Sequence, residues 1–110
     1  MTPDTLAKIG TWIASDDTGA SSTWLAGVAL GGSPESVSYP HDPSDLGRCI
    51  RVMDLLTPAE QIATVDRASE LSKIWAKIFS NWSQLANLYL EEEPLGRAPK
   101  LYKLMKDLGL

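Results

Sequence analysis

A chain of 110 residues with 44% hydrophobic and 22% charged side chains is sized and composed for one folded soluble domain with a modest core. Its net charge of −4 argues against non-specific binding to nucleic acid or an anionic membrane, and is too small to imitate duplex DNA, which carries one charge per about 1.7 Å of axis. The single cysteine, Cys49, excludes an internal disulfide, and the longest apolar run, Trp24 to Leu30, falls well short of the roughly 20 residues of a spanning helix.

The chain opens with Thr2-Pro3-Asp4, a capping threonine followed by a first-turn proline and a carboxylate, which starts a helix. Leu6, Ile9 and Ile13 recur at helical spacing with Trp12 beside them, and the turn formers Ser15 to Gly19 stop the pattern. Ser21 or Ser22 can cap a second, short helix over about residues 23–30. That segment is nearly all apolar and is expected to be buried on most sides, with Gly31-Gly32 ending it. Residues 31–42 are rich in Gly, Ser and Pro and read as a loop, with a short extended piece near Val37 to Tyr39.

Asp42 and Pro43 start a third helix that runs to about Leu56. Its expected inner stripe is Leu46, Cys49, Ile50, Met53 and Leu56, with Arg48, Arg51 and Asp54 facing out. Thr57-Pro58-Ala59-Glu60 is a capping box. From Pro58 to Glu93 the pattern is helical throughout, and Leu71, Ile74, Trp75, Ile78, Trp82, Leu85 and Tyr89 keep one apolar rhythm. So long a helix is unusual for a domain of this size, and a break is expected at Ser69-Glu70. Glu91-Glu92-Glu93 before Pro94 places three carboxylates at a helix C-terminus, against the macrodipole, so that end should fray. A last helix over Pro99 to Leu108 carries Leu101, Leu104, Met105 and Leu108 on one side and Lys100, Lys103 and Lys106 on the others. The reading is all-α: one compact bundle of five to six helices over residues 1–110, with one long helix in the C-terminal half.

Charge divides the chain. Residues 1–66 carry three bases against nine acids, −6, and residues 67–110 carry seven bases against five acids, +2. The halves can attract each other when packed or offer surfaces of opposite sign to partners.

Residue chemistry points to no reaction. His41 and Asp42 are adjacent, but the lone histidine sits in a proline-rich loop with no nucleophile-elbow pattern, so no catalytic residue is assigned. One Cys and one His make no zinc set, the aspartates lack calcium-loop spacing, and no glycine-rich phosphate loop follows a strand, so no metal or cofactor is expected. Cys49 reads as a small buried hydrophobe. The segment Trp12 to Leu30 has the rough outline of a helix-turn-helix, yet its second helix lacks the Arg, Lys, Asn or Gln that base reading needs. Trp75 and Trp82 read as core, whereas Trp12 or Trp24, flanking the Asp16-Asp17 turn, could anchor a protein interface.

Three blocks carry a resemblance. They are Ile13-Ala14-Ser15-Asp16-Asp17-Thr18-Gly19-Ala20-Ser21-Ser22; Tyr39-Pro40-His41-Asp42-Pro43-Ser44-Asp45-Leu46-Gly47-Arg48-Cys49; and a tail with Trp82, Leu85, Leu88-Tyr89 and Leu101-Tyr102-Lys103-Leu104-Met105. In these the chain resembles a group of small helical proteins encoded in bacteriophages and prophages, mostly without assigned function, with Val52 departing from the group's usual aromatic or leucine after Arg51. The resemblance implies origin in a mobile element and carries over no catalytic residue. Small acidic phage proteins commonly bind host machinery, so the expectation is a non-enzymatic, stoichiometric binder of a host protein complex. CRISPR–Cas subunits are the candidate target, blocked sterically in the cytoplasm of the bacterial host, with no membrane involvement. Asp16, Asp17, Trp24, Tyr39, His41, Asp42 and Asp45 are the expected partner-binding residues, the acids facing a basic surface. The alternatives are a phage structural or regulatory protein, monomeric or a homodimer joined through the long helix, and a weak nucleic-acid binder using the basic C-terminal helix.

Overall fold

The computed structural model describes residues 1–110 and contains seven α-helices and no strand. They are α1 (Pro3–Ile13), α2 (Ala20–Ala29), α3 (Pro43–Asp54), α4 (Pro58–Leu71), α5 (Lys73–Ser80), α6 (Trp82–Glu92) and α7 (Pro99–Asp107), with a 3₁₀ turn at Glu93–Leu95. The all-helical architecture holds, while the count of five to six is low because the long C-terminal-half helix is three helices.

Helix starts follow their local signals. Thr2, Asp42 and Thr57 side chains accept hydrogen bonds from the amides of Thr5, Asp45 and Glu60, each with proline in the first turn. Glu60 completes the box by accepting from Thr57 N at 2.9 Å. The N-cap of α2 is Gly19 rather than Ser21 or Ser22, and the helix begins earlier than expected, at Ala20. The Ser22 hydroxyl bonds back to Gly19, accepting from its N–H at 3.0 Å and donating to its carbonyl at 3.1 Å. Gly31, with φ +87°, ends α2 in the left-handed conformation that glycine adopts without steric cost.

The single run 58–93 breaks at Ser72 and Asn81, not at Ser69-Glu70. Ser72 is extended, closes α4, and caps α5 by accepting from Trp75 N. Unbroken, the run would be about 50 Å long at 1.5 Å per residue, against a longest molecular dimension of 37 Å. The breaks fold it back while the apolar rhythm continues across both.

The core is a cluster of 18 buried hydrophobic residues. Helix α2 is its centre, packing on α3 and α4 and burying Trp24, Leu25, Ala26 and Val28. The Trp24 and Trp75 rings stack 5.4 Å apart at 9°, and Phe79 and Trp82 extend the aromatic column. On α1 the buried face is Thr5, Ile9 and Trp12, which leaves Leu6 and Ile13 exposed. On α3 Val52 is fully buried and Ile50 only half so.

Residues 31–42 form no strand, but the loop is tied at three points. Arg67 donates to Ser33 Oγ, Trp75 Nε1 to the Ser38 carbonyl at 2.8 Å, and Lys106 to the His41 carbonyl. The Glu91–Glu93 end is held as well. Glu92 is buried, and its carboxylate accepts from the amides of Lys100 and Leu101 at the start of α7. The expected fraying is answered by a neighbouring helix that needs that negative charge. No helix is long and apolar enough to cross a membrane.

Candidate functional site

The turn between α1 and α2 is built on Ser15, whose hydroxyl donates to the Trp12 carbonyl at 2.6 Å and accepts from Asp17 N. This directs Asp17 onto α3. One carboxylate oxygen lies 2.9 Å from Arg51 Nε and the other 3.4 Å from Arg48 Nε. Both Nε atoms meet Asp17 as ion-pair partners without hydrogen-bond alignment. Arg48 also reaches Asp45 at 2.9 Å, and Arg51 donates to the Tyr89 hydroxyl at 3.2 Å. Burial alone would lower the Arg51 pKa, but the Tyr89 hydroxyl and Asp17 outweigh it and raise it. Asp42, one turn before Asp45, caps α3.

Asp17 and Asp45 therefore meet through Arg48 near the start of α3, which Asp42 caps, and Asp16 adjoins Asp17 in the turn. Their electrostatics differ from what the sequence suggests. Arg48 and Arg51 balance two of the four charges, leaving −2 for the group. The pairs are partly solvated, so each contributes at most about 1 kcal/mol to stability. Asp16 is exposed and stands apart from these pairs.

Tyr39 and His41 lie beside this group with ring centroids 4.5 Å apart, Tyr39 half-buried and His41 exposed. With Ala20, Ser21, Val37 and Asp45 they line a shallow cavity of about 160 Å³, below the roughly 300–1,000 Å³ of sites that enclose small molecules. Trp24 requires a correction. At 7% exposure and stacked on Trp75, it is a core side chain and presents no surface to a partner. Cys49 is fully buried, its Sγ 3.6 Å from Ser21 Oγ. Burial pushes its thiol up to about 12, so it is protonated and unreactive at neutral pH. No group of three or more His, Cys, Asp or Glu side chains is placed to hold a metal ion.

The basic C-terminal region is partly engaged within the chain. Lys77 faces the Leu108 carbonyl, Lys106 those of His41 and Leu110, and Lys100 pairs with Glu91. The expected long helix over 58–93 is divided into α4, α5 and α6.

One surface has no counterpart in the sequence reading. Between the end of α3, α4 and the start of α6 lies a groove of about 290 Å³, lined by Met53, Asp54, Gln61, Ile62, Val65, Asp66 and Trp82. The signals were visible only separately: the weak apolar phase at Ile62 and Val65, and Asp54 facing out. No local pattern shows that Trp82 comes to lie against them.

Comparison with known proteins finds no matching family model, no matching curated protein and no matching solved structure.

Proposed function

We propose that this chain is a phage-derived, stoichiometric binding protein that inhibits a host defence complex in the bacterial cytoplasm, an anti-CRISPR that blocks a Cas complex sterically. The observation that supports the reading is that Asp17 and Asp45, far apart in sequence, meet through Arg48 at the start of α3, with Asp42 capping that helix, Asp16 next to Asp17 in the turn, and Tyr39 and His41 sharing a cavity with Asp45. Such a surface suits a basic, nucleic-acid-binding face of a target, which it would cover. The loop that carries Tyr39 and His41 is tied to α4, α5 and α7, so little ordering entropy would be lost on binding.

The geometry also selects the variants. Asp17 holds two arginines, so reversing its charge would disturb the fold as well as the surface; Asp16→Lys is the clean probe. Expression in bacteria carrying active CRISPR–Cas systems is expected to restore plaquing of a targeted phage. The purified protein should inhibit the cognate complex with an end-point at a fixed molar ratio, and Asp16→Lys should weaken inhibition while leaving the thermal midpoint unchanged. Failure to restore plaquing against every system type refutes the function. Full inhibition by Asp16→Lys refutes the surface.

A further inference from the structure

The groove between α3, α4 and α6 combines three features that folding does not explain. Its floor is apolar and accessible: Ile62 is 65% exposed and Val65 and Trp82 are half-buried, around the largely buried Met53. Both of its carboxylates, Asp54 and Asp66, are exposed and take part in none of the ion pairs of the fold. Asp54 is also the last residue of α3, where the helix already presents partial negative charge, so its position opposes helix stability. The arginines on the same two helices are engaged elsewhere, Arg48 with Asp17 and Asp45, Arg51 with Asp17 and Tyr89, Arg67 with Glu70 and Ser33.

The walls are preorganised. The Gln61 amide donates to the Met53 and Leu56 carbonyls at 3.0 and 3.3 Å, bracing the end of α3 against the start of α4. The Thr57–Glu60 capping box fixes the first turn of α4. An apolar side chain entering the groove meets a shaped surface, and a cation beside it meets two uncompensated carboxylates.

We propose that this groove docks a basic amphipathic segment of a protein partner, a large apolar side chain seated against Ile62, Val65 and Trp82 with flanking Lys or Arg on Asp54 and Asp66. The mode is a short segment laid in a helix-lined groove, apolar anchors supplying affinity and the acidic rim supplying register and on-rate. It rests on the reading of the chain as a protein binder and assigns that binding a second surface.

The test uses the whole chain and a fluorescein-labelled amphipathic helical peptide of Leu and Lys. The comparisons are the same peptide with Glu for Lys, and a Lys-Gly peptide lacking Leu. Binding is read by anisotropy and mapped by amide chemical-shift changes. The Leu-Lys peptide is expected to bind saturably with shifts centred on residues 53–66 and Trp82, and the two comparison peptides are expected not to bind. Asp54→Asn with Asp66→Asn should weaken binding about fivefold. Ile62→Ser, at an exposed position where folding is unaffected, should weaken it about tenfold. Removing two charges elsewhere, with Glu35→Gln and Glu70→Gln, should leave it unchanged.

Absence of saturable binding, shifts centred elsewhere, or equal loss in the Glu35/Glu70 variant overturns the proposal. The plaquing assay separates the two readings. Groove binding without restored plaquing leaves the groove and removes the inhibitor. Restored plaquing that the Asp54/Asp66 and Ile62 variants retain in full leaves the inhibitor and removes the groove.

Discussion

Replacing Glu92 by alanine tests whether a buried carboxylate from one helix caps the next. Ala98, at the N-cap of α7, offers no side-chain acceptor, so the amides of Lys100 and Leu101 depend on Glu92, with Oε2 at 3.1 Å and Oε1 at 2.7 Å. The site is only 3% exposed, so water does not readily replace the lost acceptor. A hydrogen bond to a charged group contributes about 1.5–3 kcal/mol, and a carboxylate at a partly buried helix N-terminus adds up to about 2. Two such bonds, discounted for relaxation, place Glu92→Ala at about 3 kcal/mol of destabilisation. At about 4–8 °C per kcal/mol for a domain near this size, Tm should fall by at least about 12 °C. Glu92→Gln keeps one acceptor oxygen and turns its amide group toward the other N–H, so it should cost between about 1 and 2 kcal/mol. Urea unfolding of the wild type, both variants, and Glu93→Ala as the exposed neighbour measures the series. A Glu92→Ala loss no larger than that of Glu93→Ala, or equal losses for alanine and glutamine, would refute the cap.

Gly47 lies within α3 under the Tyr89 ring, and a Cβ there would stand 2.5 Å from both Cε1 and the hydroxyl oxygen. Gly47→Ala should therefore lose about 1 kcal/mol net, overpacking of about 1–3 exceeding a helix-propensity gain of about 1. Gly10→Ala, with open space around its Cβ, should gain about 0.5–1; chemical denaturation of the pair checks the opposite signs. Glu60 accepts from Thr57 N, the Thr5 hydroxyl and Thr2 N, and these bonds, led by the Thr57 amide, lower its pKa to about 2. Its folded-state pKa lies below the ordinary value of about 4.3, so its stabilisation is complete above that value and is lost as pH falls toward about 2. The difference in urea midpoint between wild type and Glu60→Gln should shrink from pH 6 to pH 2.5; a constant difference contradicts the assignment.

The helix starts at Pro3, Pro43 and Pro58 and the stop at Gly31 were legible because their causes lie within a turn or so of chain: a cap, a proline, a glycine. The all-α class followed from those signals and the 3.6-residue apolar rhythm. That same rhythm concealed the breaks at Ser72 and Asn81, since apolar spacing continues across a bend that keeps both helices on one core.

What only tertiary structure decided is which groups meet. Asp17 and Asp45 read as free acids until Arg48 and Arg51, on the neighbouring face of α3, neutralise them. Trp24 could have been an interface anchor until Trp75 stacks on it, and Glu92 a destabilising excess until α7 presents its amides. The Asp54–Ile62–Asp66–Trp82 groove draws on three helices, one of them displaced by the breaks that periodicity hides. Capping and periodicity are short-range properties written in adjacent residues, whereas charge balance, burial and surface shape are sums over groups distant in sequence, which the packed chain alone brings into contact.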